Sequence, residues 1–100
     1  MNSKENENTA TAVCIASTIN YPTIVKRLIE SGADIHFPQS DGKDPLICAA
    51  ICGNLDCVGL LLKAGAELKN TFQNFNALEH SMLRQNMDVV DLIKEHFKMK

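Results

Sequence analysis

The residues of this 100-residue chain best suited to chemistry are four cysteines and three histidines. A thiolate is a strong nucleophile and a soft metal ligand, and imidazole is a base and a ligand. Cys48 and Cys52 are four positions apart, so they share one face of a helix. With Cys57 and His80 they form the only grouping that raises a zinc site. Structural zinc sites bring their ligands in tight pairs such as C-x₂-C, and that spacing is missing here. A thiol enzyme needs a base beside an activated cysteine. Cys52, next to Gly53, is the most exposed thiol by position, and no nearby residue is an evident general base. There is no Gly-rich phosphate loop and no paired carboxylate motif. The sequence therefore predicts no catalytic residue, no metal and no cofactor. The four cysteines read as reduced thiols packed in or beside helices, because all four fall in helical segments and no secretory signal precedes them. Oxidation of Cys52 as a redox sensor is an alternative of a different class.

The elements that would position these residues are written three times. Asp41 to about Phe72 reads DGKDPLICAAICGNLDCVGLLLKAGAELKNTF, and Asn8 to Ser40 reads NTATAVCIASTINYPTIVKRLIESGADIHFPQS. The two copies align at a period of 33 residues, pairing Ala16 with Ala49, Val25 with Val58, Leu28 with Leu61, Gly32 with Gly65 and Ala33 with Ala66. A diverged third copy starts near Gln73, where Leu46, Leu55, Asp56, Val58 and Leu61 recur as Leu78, Met87, Asp88, Val90 and Ile93 at an offset of 32. Each copy predicts a short helix over 12–19, 45–52 and 77–84, capped by Thr11, Asp44 or Asn76. Pro45 suits the first helical position, where its missing N–H costs nothing. A turn follows at Asn20, Gly53 and Gln85. Gln accepts positive φ poorly, so the third turn is expected to be distorted. Second helices start near Pro22, Leu55 and Met87, carry apolar stripes such as Val58, Leu61 and Leu62, and stop at Gly32 and Gly65. The small residues Ala16, Ser17, Ala49, Ala50 and Ser81 allow close helix approach. Met82 breaks that rule.

Residues 1–7 are polar and are expected to form a disordered tail, with a repeat domain over 8–100 divided at about 8–40, 41–72 and 73–100. In the last copy Lys94 replaces the third leucine and the closing glycine is absent, so a charged end is expected to close the stack. Formal net charge is −2 and no basic block exists, which leaves nucleic-acid binding without an electrostatic footprint. No apolar stretch approaches the ~20 residues that span a bilayer. The opening MNSKENENT has no apolar core of a signal peptide, so an intracellular location is expected, the cytoplasm first and the nucleus as a further option.

Asp41-Gly42, Asp44-Pro45-Leu46, Ala49-Ala50, Gly53-Asn54-Leu55, Val58, Leu60-Leu61-Leu62 and Gly65-Ala66-Glu67 together resemble the ankyrin repeat. Ser31-Gly32-Ala33-Asp34-Ile35 repeats its closing motif. The resemblance implies an all-α solenoid of three helix-turn-helix repeats joined by short β-hairpin-like fingers, working as a non-catalytic module that binds or masks another protein through a concave groove. It further implies that finger tips and the exposed side of the first helices line that groove.

Carried onto this chain, the helix positions are Thr18 and Ile19, Ile51 and Cys52, Leu83 and Arg84. The finger positions are Thr9 and Ala10, Phe37 to Lys43, and Asn70 to Phe75. The residues expected to meet a partner are Ile19, Phe37, Lys43, Ile51, Cys52, Phe72, Phe75, Leu83 and Arg84. Exposed apolar residues in such a row mark a docking surface; the opposing reading has the tips fold inward and Leu83 join the core. The partner is another protein, with no nucleic acid or membrane, and the chain is expected to be a monomer when free. A scaffold role in a larger assembly is the alternative within the same class.

Overall fold

The computed structural model describes the backbone of residues 3–39 and 41–99 and the side chains of residues 11–39 and 41–99. Six helices follow in order: α1 (Ser3–Thr18), α2 (Pro22–Glu30), α3 (Pro45–Cys52), α4 (Leu55–Lys63), α5 (Ala77–Leu83) and α6 (Met87–His96). They form three antiparallel hairpins, α1/α2, α3/α4 and α5/α6. The first helices stack as one layer, α1 on α3 on α5, and the second helices as another, α2 on α4 on α6.

Local chemistry accounts for these elements. Asp44 caps α3 by accepting the Ile47 N–H at 2.8 Å, and Pro45 follows at the first turn. Asn76 caps α5 through a full capping box, in which its Oδ1 accepts from Glu79 N at 2.9 Å while Glu79 Oε1 accepts from Asn76 N at 3.0 Å. The tight turns are alike in all three hairpins. Asn20, Gly53 and Gln85 all take the left-handed conformation, at φ 63°, 71° and 58°. The next residue's N–H then closes each turn onto Ala16, Ala49 or Ser81 at 2.9–3.0 Å. The expected distortion of the third turn does not occur, because the register bond from Asn86 N to Ser81 O holds Gln85 in its strained place.

α1 departs from the expected pattern. It begins at Ser3, so Thr11 lies inside the helix instead of capping it, and Thr9 and Ala10 continue the helix where the sequence predicts a finger. Residues 3–7 of the expected tail are helical in the backbone. Residues 1 and 2, and the side chains of Thr9 and Ala10, lie outside the described residues. From Ser3 to Ala10 no glycine or proline interrupts the chain, so nothing stops the helix from propagating.

The core is made by the paired layers. Leu46, Ile47, Leu61 and Ile93 are fully buried, joined by Val13, Val25, Val58, Val89 and Val90. Truncating any of these larger side chains to Ala costs about 2–5 kcal/mol, because the stacked hairpins cannot collapse onto the void. Ala49 and Ala50 are completely buried, as small residues between three neighbouring helices must be. Met82 holds the place of Ala50 one repeat later and is 51% exposed, on the outer face of the third hairpin.

The last hairpin closes without glycine. Gly32 and Gly65 end α2 and α4 at φ 89° and 100°, and Lys98 takes the same left-handed place at φ 55°. The bonds match: Ala33 N to Leu28 O and Ala66 N to Leu61 O, both 3.0 Å, then Met99 N to Lys94 O at 2.8 Å. α6 is one residue longer than α4, 10 against 9, so the closing residue falls where the sequence alignment at constant offset does not look for it.

Candidate docking flank

The first helices end on one flank of the stack, with the fingers before α3 and α5 at the other end of the same layer. At the helix ends the structure splits the expected residues into two groups. Ile19 is 52% exposed and Leu83 63% exposed, and Cys52 and Arg84 are also open to solvent. Ile51 is half-buried and packs against the core. It therefore serves stability as well as surface, which corrects the expectation of a purely exposed stripe. Leu83 is not core. Its exposure is the highest of the large apolar side chains among the described residues.

A repeated device fixes the helix ends. Asn54 Nδ2 donates to the carbonyl oxygens of Ser17 and Thr18 at 2.6 and 3.1 Å. Asn86 Nδ2 donates to Ala50 O at 3.0 Å. Each asparagine reaches back from the start of a second helix to carbonyls in the last turn of the preceding repeat's first helix, where few intrahelical donors remain. This pair of residues is functional scaffolding that reading the motifs missed. The recurrence of Asn at an offset of 32 residues was the available signal.

The fingers are tied to the body and to each other. In the first, Gln39 N bonds Lys43 O at 2.9 Å and Gly42 N bonds Gln39 O at 2.8 Å, while Asp34 and Asp41 carboxylates accept from His36 N and Lys43 N. Asn70 joins the two fingers by donating to His36 O at 2.9 Å and to Asp44 Oδ2 at 3.0 Å. The second finger ends in a two-residue hairpin: Phe72 and Phe75 exchange both backbone bonds, at 2.9 and 3.1 Å, across Gln73 and Asn74. Both turn residues have positive φ, 52° and 73°, the pattern of a type I′ turn. It is the single β-bridge among the described residues.

Phe72 and Phe75 are brought together around His80, at ring-centroid distances of 5.7 and 5.9 Å. His80 is buried and its Nε2 lies 2.7 Å from Phe72 O. Lys43 Nζ sits 5.1 Å above the Phe72 ring and 3.3 Å from Asp41 Oδ2. Phe72 is half-buried against the core, so this tip does fold partly inward, whereas Phe75 stays 39% exposed. Phe37, 38% exposed, takes no part in the described aromatic contacts. The structure thus links Lys43, Phe72 and Phe75 in one cluster and leaves Phe37 separate.

The titrating groups near the fingers follow their surroundings. Burial pushes the Asp44 carboxyl above its usual range, partly offset by the Ile47 and Asn70 donors. The backbone N–H of Lys43 holds exposed Asp41 below it. Cys14, Cys48 and Cys57 are buried and Cys52 is exposed, all four as free thiols. The Cys14 thiol is pushed up by its hydrogen bond with the Cys48 thiol and by burial, and Cys57 by burial. Neither is a ready nucleophile. Among the described residues no three of His, Cys, Asp or Glu converge as a ligand set. No described helix is long and apolar enough to cross a membrane. On the opposite side of the stack, Pro22, Leu55, Gly59, Leu60 and Leu92 line a shallow hollow between the second helices.

Comparison with known proteins fits this geometry. The family model described as ankyrin repeats in three copies matches residues 2–99. The chain is also 35% identical over 85 residues to the glycerophosphocholine phosphodiesterase GDE1 of Candida albicans, strain SC5314. That match takes in 83% of this chain and 7% of the phosphodiesterase, so the chain spans a small fraction of that relative's length.

Proposed function

This chain belongs to the ankyrin-repeat family, whose stacks bind other proteins, and from that premise we propose that it docks one partner protein on the flank where α1, α3 and α5 end. Ankyrin repeats are typically non-catalytic. The mechanism is steric: a rigid three-hairpin stack holds or masks a partner surface, as an adaptor or an inhibitor. The anchors are Ile19 and Leu83, with Cys52, Arg84 and the half-buried Ile51 between and beside them. Phe37, Lys43, Phe72 and Phe75 extend the surface at the fingers. The reading includes an intracellular setting, where thiols stay reduced.

The observation that carries this reading is Leu83, at 63% exposed the most open large apolar side chain among the described residues. An exposed aliphatic anchor of this kind gains its free energy only when a partner covers it, and a few such residues dominate an interface. The relative's chemistry adds nothing here, because the similarity reaches 7% of that enzyme.

The test is affinity purification with the wild-type chain and with an Ile19→Glu/Leu83→Glu double variant. Both side chains are exposed, so the variant keeps its helical circular dichroism. The partner that the wild type retains is then lost or weakened at least tenfold, since buried charges at an apolar contact are poorly tolerated. Equal capture by both chains would remove the flank from the interface.

A further inference from the structure

Each inner interface of the stack is built by the same register positions, and the first hairpin presents those positions to solvent. Cys48 and His80 face the preceding hairpin or its finger and are 2% and 5% exposed; the equivalent Ile15 is 52% exposed. Cys57 lies against Asn20 of the hairpin before it, with Sγ 3.8 Å from Oδ1, and Val89 is 1% exposed; the equivalent Ile24 is 45% exposed. Asn54 and Asn86 reach back to helix-end carbonyls, and their equivalent Tyr21 is 54% exposed. The phenolic O–H can donate to a carbonyl as those amides do. The outer face of the third hairpin shows the converse. Ser17 and Ala50, which face the following hairpin, are fully buried, and Met82 in their place is 51% exposed.

The second-helix layer adds charge complementarity. At the inner interface of α4 and α6, Leu92 Cδ2 comes within 3.8 Å of where a Gly59 Cβ would stand. On the two outer faces those positions are occupied by Arg27, in the place of Leu92, and Asp91, in the place of Gly59. Both are exposed, and neither belongs to the described ion pairs Lys43–Asp41 and Lys69–Glu67. A hairpin stacked on the first repeat in the register used inside the chain sets its residue in the place of Gly59 against Arg27, and in this chain's own third repeat that residue is Asp91.

We propose that the outer face of the first hairpin is a docking surface for a second copy of this chain, stacked head to tail so that Ile15, Tyr21 and Ile24 cover Met82 and its neighbours while Arg27 pairs with Asp91 of the other copy. The contact continues the interface already present between hairpins. It is heterologous, so it leaves one complementary face free at each end and permits further growth. It meets the flank proposed above at Leu83, whose equivalent Thr18 accepts from Asn54 across the first inner interface, but it is read out at Arg27 and Asp91 on the second helices, and it differs from the free monomer expected from the sequence.

Sedimentation velocity on the full chain, across concentrations from micromolar to about 1 mM, tests this against a charge exchange. The wild type shows concentration-dependent association. Arg27→Asp and Asp91→Arg each place like charges at the contact and weaken association about tenfold or more. An equimolar mixture of the two variants restores it, because the carboxylate introduced at position 27 of one then meets the guanidinium introduced at position 91 of the other. Circular dichroism verifies that each variant is folded, and Arg27→Glu with Asp91→Lys repeats the exchange should either variant fail. A wild type that stays monomeric throughout, single variants that associate like the wild type, or a mixture no stronger than its components would each overturn the proposal. The first of these outcomes would leave the face to a different occupant.

Discussion

His80 Nε2 lies 2.7 Å from the carbonyl oxygen of Phe72, and this bond pins the tip of the second finger to helix α5. The same imidazole packs against both hairpin phenylalanines. The buried ring thus substitutes for a longer strand pairing, which a two-residue hairpin with one bridge does not have. Replacing His80 by Leu keeps an apolar body but removes the link. The expected result is a stability loss of about 1 kcal/mol and faster hydrogen exchange at the Phe72 and Phe75 amides. Unchanged exchange at those two amides would mean that the hairpin holds itself.

Two turns carry avoidable strain. Gln85 and Lys98 sit at φ 58° and 55°, where their repeat equivalents Gly53 and Gly65 adopt the left-handed region freely. Gln85→Gly and Lys98→Gly are each expected to stabilise the chain by about 0.5–1 kcal/mol, because the relief of positive φ exceeds the added unfolded-state entropy. Urea unfolding midpoints measure this directly. A lower midpoint for Gln85→Gly would show that the glutamine side chain contributes a contact beyond the turn.

Ser17 is fully buried and its hydroxyl finds no hydrogen-bond partner among the described residues, while the next repeat has Ala50 in the same place. Burying an unpaired hydroxyl costs about 1–3 kcal/mol. Ser17→Ala is therefore expected to raise the unfolding free energy by about 1 kcal/mol in chemical denaturation. A loss of stability would point to a hydroxyl bond formed in solution.

Asp44 has a folded-state pKa raised by burial. The folded protein holds that proton to higher pH than the unfolded chain, whose aspartate titrates near about 3.9. Its contribution to stability is thus greatest below the unfolded value and declines as pH rises through the interval up to the raised folded value. Asp44→Asn keeps an N-cap, as Asn76 does in the third repeat, and removes the titration. The stability difference, wild type minus variant, is expected to move in favour of the wild type as pH falls from 7 toward 4. A pH-independent difference would contradict the assignment.

The repeat period, the starts of α2, α4 and α6, and the caps at Asp44 and Asn76 were legible because each rests on a local rule: an apolar stripe, a proline at the first turn, a side-chain acceptor. The early start of α1 was not legible by alignment, since uninterrupted helix-forming residues simply continue where the repeat pattern predicts a finger. Lys98 was hidden because one extra residue in α6 moves the closing position. The finger residues Lys43, Phe72 and Phe75 were named from the resemblance. Their gathering around His80 is a tertiary event that spacing alone does not encode. The apolar outer faces at Ile15, Ile24 and Met82 needed burial values at equivalent positions to be seen.

The central claim is that a partner covers the ends of the first helices, and site-specific photo-crosslinking tests it most directly. A photoreactive residue is placed in turn at Ile19, at Leu83 and, as control, at Glu30, which is exposed at the end of α2 in the other layer. The account predicts a covalent adduct to one and the same protein from Ile19 and Leu83, and none from Glu30. An adduct from Glu30 with none from Ile19 or Leu83 would place the partner on the opposite side of the stack and contradict the account.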